Sequence, residues 1–246
     1  MARREPRELT VVGSERITPN MHRVTLGGPG MRDFPAHAEG GYVKLHVPPP
    51  GGPGSNEPTR RTYSIRAQRE NEIDLDFVLH GDGGPASRWA VGCTAGETIL
   101  VGGPGPRAPV DPAMDWFLLA GDMTALPAIS VNIEHLPADA TGYVAIEVID
   151  AADIQDLPLP AGMEIEWLGE EPGLLADHVR RLPWRDGNPS AWAASEFSAM
   201  RALRDYLRVE RGLGKANLYI SSYWKHGSGE DAHRIAKRED AQAAAL

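Results

Sequence analysis

The chain has 246 residues, 41% hydrophobic and 24% charged, with a formal net charge of −9. Its size fits one large domain or two smaller ones. The negative balance, with no Lys/Arg-rich run, argues against nucleic-acid binding as the main task. No apolar run reaches the length of a membrane span, and a single cysteine, Cys93, rules out a disulfide framework or a Cys-ligated iron–sulfur cluster. The basic start, residues 1–8, has no apolar stretch behind it and does not read as a secretory signal. A reducing cytoplasm is the expected location.

Residues 8–103 read as short strands at Glu8–Ser14, Met21–Gly27, Gly41–Val47, Arg61–Arg66, Glu72–Leu79 and Glu97–Gly102, rich in β-branched and aromatic residues and punctuated by Gly, Pro and Asn. Ile73–Leu79 alternates, as a half-buried strand should. With one short helix at Ala86–Val91, these six strands predict an antiparallel Greek-key barrel. Pro48–Pro58 is dense in Pro and Gly and reads as a mobile loop. Gly102–Pro112 reads as the connection between domains, which sets expected domains of 1–112 and 113–246. Beyond it strands and helices alternate: strand Asp115–Ala120, helix Thr124–His135, strands Tyr143–Ile149 and Gly162–Leu168, helix Pro172–Arg181, strand Ser190–Ala194, helix Ser195–Arg211, strand Leu218–Ser222 and a polar helix Gly229–Ala243. That rhythm predicts a parallel α/β sheet of the nucleotide-binding kind.

Several constellations carry chemistry. Arg61, Tyr63, Ser64 and Arg66 supply the aromatic face, hydrogen-bond donor and positive charge that a flavin needs; the alternative is an edge strand with an aromatic. Alternation puts Arg61 and Tyr63 on one face and Ser64 on the other. Gly83-Gly84-Pro85-Ala86-Ser87 opens a helix, where free N–H groups and the dipole favour a phosphate, or simply a capped turn. His80 precedes it. Gly121-Asp122-Met123-Thr124-Ala125 follows a buried strand, where an open α/β sheet takes a nucleotide; it is not a G-x-G-x-x-G fingerprint, and Asp122 is unfavourable beside a phosphate. Ser195-Glu196 comes off another strand end and reads as active-site or as a helix start. Trp224 and Lys225 end the last strand. In the terminal helix His233, Lys237 and Asp240 share one face and Glu230, Arg234 and Arg238 another, mainly a solvated, charge-paired surface. No permanent metal site is expected: only two pairs, Glu230 with His233 and His226 with His233, have plausible local spacing, and neither comes with further clear ligands.

In this order the motifs resemble the siderophore-interacting protein family, flavin-dependent ferric-siderophore reductases of the ferredoxin–NADP reductase superfamily. The matching stretches are Arg61–Arg66, His80 with Gly84–Ala90, Ala120–Ile129, Trp192–Glu196, and Tyr223–Lys225 with Glu239. The resemblance implies an FAD-binding barrel, an NAD(P)H-binding domain, and cytoplasmic reduction of a ferric siderophore that releases its iron. Arg61, Tyr63, Ser64, Ile65 and Arg66 would hold the flavin ring; His80, Gly84, Ala86 and Ser87 its diphosphate. Asp122, Thr124, Ala125, Glu196 and Trp224 would line the nicotinamide side, with Tyr63, Ser64 and Glu196 closest to the reaction. Ser195, where many relatives are expected to have glycine, and the Pro-rich Gly103–Pro109 depart from the pattern. Lys44, Lys225 and Lys237 are the candidate contacts for an anionic siderophore complex. A monomer is expected, with no nucleic-acid partner and no stable membrane insertion. Two other readings stay open: a generic NAD(P)H:flavin or ferredoxin-type oxidoreductase, and a non-catalytic siderophore-binding module. For the nucleotide, Asp150, Asp153 and Asp156 would favour a free ribose hydroxyl, whereas Arg180 and Arg181 could serve a 2′-phosphate.

Overall fold

A computed structural model describes residues 5–48, 59–80, 83–169, 171 and 173–243. Most of the Pro/Gly-rich stretch expected to form a mobile loop, 49–58, lies outside the described residues. The chain divides into two compact units: Met1–Pro109 with Ser130–Asn132 and Ala152–Gln155, and the remainder from Val110 to Leu246.

The first unit is a closed antiparallel barrel of six strands: β1 (Arg7–Thr18), β2 (Met21–Gly27), β3 (Tyr42–Val47), β4 (Thr59–Arg69), β5 (Glu72–Val78) and β6 (Thr98–Gly105). Around the barrel their order is β1-β2-β5-β4-β3-β6. Period-two alternation builds its core. Ile73, Leu75 and Phe77 are fully buried and join Val24, Leu26, Val43 and Leu45 inside. Between them Asp74 and Asp76 are also buried. Arg23 donates to both Asp76 oxygens at 2.7 and 2.8 Å. Arg69 does the same for Asp74 at 2.7 Å, and Thr25 adds a bond at 2.8 Å. These carboxylates are therefore satisfied rather than stranded. Helix α1 (Pro85–Gly92) packs against β2 and β5. Strand β6 runs past the expected end at Gly102 to Gly105, because β3 pairs it as far as Tyr42↔Gly105. A Cβ at Gly105 would lie 2.1 Å from the Tyr42 ring, so a larger residue there would have to push that exposed ring aside.

The second unit is a five-stranded parallel sheet of β7 (Trp116–Asp122), β8 (Thr141–Val148), β9 (Gly162–Gly169), β10 (Pro189–Glu196) and β11 (Leu218–Trp224), in the order β11-β10-β7-β8-β9. All seven residues of β7 are buried, as a central parallel strand requires. Neighbouring β8 comes so close that a Cβ at Gly142 would fall 1.9 Å from the Phe117 carbonyl oxygen. The helices are α2 (Leu126–Glu134), α3 (Leu174–Arg181), α4 (Phe197–Arg204) and α5 (Glu230–Ala243). The single helix expected over Ser195–Arg211 is instead α4 followed by a wide π turn at Asp205–Glu210, closed by Arg211 N–H bonding the Tyr206 carbonyl at 3.0 Å. The chain steps outward from β7 to β8 and β9, then returns to β10 on the other side. Strand order thus reverses between β7 and β10, and the crevice beyond their carboxyl ends is where such sheets receive ligands.

Candidate functional site

In the barrel, β4 presents Arg61, Tyr63 and Ile65 on the inner face, beside Leu45 and Val43 of β3, while Thr62 and Ser64 face outward with Lys44 and Tyr42. Ile65 is wholly buried in the core; Arg61, Tyr63, Ser64 and Arg66 remain half-buried. The Tyr63 ring lies 4.2 Å from Phe77, and Phe77 lies 5.9 Å from Trp89 of α1, centroid to centroid. This aromatic run links the β4 face to the helix. Gly84, the residue before α1, makes no side-chain cap, and a Cβ built on it meets nothing within 4 Å. Pro85 in the first turn presets the helix and needs no N–H partner. Among the described residues no side chain caps the α1 entrance, which offers backbone N–H groups to an anion. Ser87 behaves otherwise: its buried hydroxyl donates to the Val78 carbonyl at 3.1 Å. Its backbone, not its side chain, faces that entrance. His80 is exposed beyond the end of β5.

In the α/β unit the carboxyl edge is organised by Asp122. Its Oδ1 accepts from the Thr124 N–H at 2.9 Å and the Thr124 hydroxyl at 2.5 Å. Its Oδ2 accepts from the Glu196 N–H at 2.9 Å and from Trp224 Nε1 at 2.8 Å. Burial pushes the Asp122 carboxyl above the usual range, and the four donors oppose that rise. Glu196 caps α4: Oε2 accepts from the Ser198 N–H at 2.5 Å, and Oε1 from the His226 N–H at 3.2 Å. Ala125 is buried, its N–H on the Asp122 carbonyl at 2.9 Å. Thr124 and Glu196 stay half-exposed at the rim, whereas Ser195 is fully buried. The crevice between β7 and β10 is thus walled by Thr124, Glu196 and Trp224, with Asp122 as the joint beneath them.

The terminal helix is more than a solvated surface. His233 is buried and shares a 2.8 Å hydrogen bond with the Ser222 hydroxyl. Lys237 Nζ donates to Ser221 Oγ at 2.6 Å and to the Ser222 carbonyl at 3.0 Å. Burial lowers the Lys237 ammonium below its ordinary pKa. Asp240 is held by Arg204, and by Arg201 at 3.2 Å. The i, i+4 spacing of His233 and Lys237 was visible; that Ser222 and Ser221 are their partners was not. Lys225 Nζ sits 4.9 Å from the Phe197 ring, and Lys44 is exposed on the barrel.

One of the acids proposed for the ribose is engaged elsewhere. Asp153 is fully buried in the barrel unit, taking bonds from the Thr18 hydroxyl and Asn20 N–H at 2.7 Å and Asn20 Nδ2 at 2.8 Å. Asp156 is exposed, beyond the short 3-10 turn that carries Asp153. Arg180 faces Asp177 and Glu210 and stacks on Tyr206. Among the described residues no helix is long and apolar enough to cross a membrane.

A sequence profile described as "Siderophore-interacting protein" matches residues 114–227, and one described as "Siderophore-interacting FAD-binding domain" matches 10–55 and 52–108. Ferric vibriobactin reductase ViuB of Vibrio cholerae is 36% identical over 251 residues, covering 93% of this chain and 92% of that protein. Among solved structures, siderophore-interacting protein SipS from Aeromonas hydrophila superposes with a TM-score of 0.86 at 35% identity, covering 97% of this chain and 98% of that one. A siderophore utilization protein from T. fusca superposes at 0.82 with 32% identity, covering 92% and 94%.

Proposed function

The chain belongs to the siderophore-interacting protein family, with the family's FAD-binding domain in its barrel, and from that premise we propose a cytoplasmic, monomeric, FAD-dependent ferric-siderophore reductase fed by NAD(P)H. The observation that carries the reading is the half-buried β4 face shared by Arg61 and Tyr63, where the Tyr63 ring connects through Phe77 and Trp89 to the start of α1. That surface fits the cofactor: an aromatic plane, flanking guanidinium groups, and a helix entrance open above Gly84.

FAD, when bound, supplies a carrier that accepts two electrons at once and gives them up singly. The residues do the rest. Tyr63 offers its ring to the flat face, Ser64 its backbone N–H as a donor at the edge, and Arg61 and Arg66 positive charge. The backbone of Gly84, Ala86 and Ser87 receives the pyrophosphate, with His80 beside it. Thr124, Glu196 and Trp224 shape the nicotinamide crevice. The overall reaction balances as one NAD(P)H and two ferric complexes giving NAD(P)+, one proton, two ferrous ions and two freed siderophores. Hard oxygen ligands hold ferrous iron far more weakly than ferric, so reduction releases the metal. Lys44 and Lys225 draw in the anionic complex; Lys237, bonded to Ser221 and Ser222, serves mainly to seat α5.

The test is anaerobic stopped flow on FAD-loaded protein. The flavin is reduced by NADH or NADPH, then mixed with a panel of ferric siderophores and a ferrous-iron trap. Rapid reoxidation with matching ferrous iron supports the reading. A flavin that no siderophore reoxidises points to a generic oxidoreductase with another acceptor, and failure to bind flavin to a binding module.

A further inference from the structure

We propose that the nucleotide crevice selects NADH over NADPH by charge, an inference that rests on reading the α/β unit as the hydride donor's site. The two donors differ by the 2′-phosphate on the adenosine ribose, and sites that accept this phosphate offer it arginine or lysine. In a sheet of this order the pyrophosphate sits at the helix following the first strand, here α2. The ribose is read from the carboxyl end of the next strand outward, here β8, with β9 alongside.

That end is acidic. Glu147 closes β8 with Oε1 accepting the Leu175 N–H at 3.1 Å. Asp150 is exposed in the turn after β8, and Glu171 is exposed just past β9. From Ala108 through Val179 the sequence has no lysine or arginine at all, so the strands and turns bordering the ribose position contribute no cation. The next two in the chain, Arg180 and Arg181, are in the last turn of α3. That helix starts at the carboxyl edge after β9 and runs about 12 Å back toward the amino edge. Arg180 is moreover engaged by Asp177, Glu210 and Tyr206. Arg185 is paired with Glu164 near the start of β9. Lys225 and Lys237 belong to the β11 side, three strand spacings or about 14 Å from β8. Within the described residues of this unit, the strands and turns at that end set Asp150 and Glu171 beside a 2′-phosphate and contribute no lysine or arginine to it.

The experiment measures NAD+ and NADP+ binding to FAD-loaded protein by calorimetry, alongside flavin reduction by NADH and NADPH, at low and high ionic strength. NADH is expected to be favoured about tenfold or more in kcat/KM, and NAD+ to bind more tightly than NADP+. Raising salt from about 0.01 M to about 0.5 M should narrow the gap, because screening weakens repulsion at an exposed site. Glu171→Arg and Asp150→Arg, both at exposed positions, should move the NADH/NADPH ratio toward NADPH, and Glu171→Arg should do so without lowering Tm. Equal or better use of NADPH, or a ratio indifferent to salt and to both substitutions, overturns the proposal. If neither dinucleotide binds, the donor reading itself fails and selectivity falls with it, a result distinct from binding without preference.

Discussion

Trp224 Nε1 donates to Asp122 Oδ2 at 2.8 Å, so the end of β11 is tied to the end of β7 across the intervening β10. All four donors around Asp122 point at its two oxygens, which makes it a positioning residue for the crevice. Asp122→Asn must turn an NH2 group toward donors at one end of the side chain. Loss of those buried bonds should cost about 2–3 kcal/mol and weaken dinucleotide binding, because Thr124, Glu196 and Trp224 lose their common anchor. Trp224→Phe removes one donor only and should cost about 1 kcal/mol. Urea unfolding and dinucleotide titration of both variants check the order.

Ser87 provides a sharper test of the flavin side. Its hydroxyl is spent on the Val78 carbonyl, so any phosphate contact must come from its backbone N–H. Ser87→Ala should lose about 1 kcal/mol of stability while retaining FAD with affinity within about threefold, a difference of well under 1.4 kcal/mol. Tyr63→Ala should instead release the flavin, whereas Tyr63→Phe keeps the ring and should hold it. Flavin retained through gel filtration separates the cases.

Asp153 is buried with three donors, two from Asn20 and one from Thr18. Asp153→Ala strands those groups and should destabilise by about 3 kcal/mol, in the range expected for a broken buried network. Asp153→Asn retains acceptor capacity and should cost less. Thermal unfolding of the two variants, with flavin content recorded at the same time, measures it.

Both sheets were legible because their periods are clean. The alternation of Ile73, Leu75 and Phe77 marks one barrel strand, and the unbroken apolar run of β7 marks a central parallel strand. The Arg61–Tyr63 face follows from the same rule. Long-range polar pairing was not legible. Asp153 lies more than 130 residues from Thr18 and Asn20, and spacing along the chain carries no trace of that meeting. The same holds for Asp122 with Trp224 and for His233 with Ser222. Glu196 shows the limit from the other side: a carboxylate at a strand end fits an active site and a helix cap equally, and its geometry here includes the cap.

The docking of α5 should respond to pH through His233. Its ring is buried, and burial first, then the positive charge of Lys237 and of Lys225, lowers its pKa, with Glu196 opposing. The Ser222 hydroxyl and the Phe197 ring complete its surroundings. The folded state therefore prefers the neutral ring, and below about pH 6.5 the unfolded chain binds more protons. Stability should fall as pH drops through that value. Asp240 acts in a separate window: hydrogen bonds from Arg204 hold its carboxyl below the ordinary range, so its contribution is present above about pH 4 and lost beneath it. Hydrogen exchange of α5 between pH 7.5 and 5 should show progressive loss of protection in the native sequence. His233→Gln can keep the Ser222 bond without titrating, so its protection should be flat over that interval. An equal slope in both proteins would show that the loosening starts elsewhere.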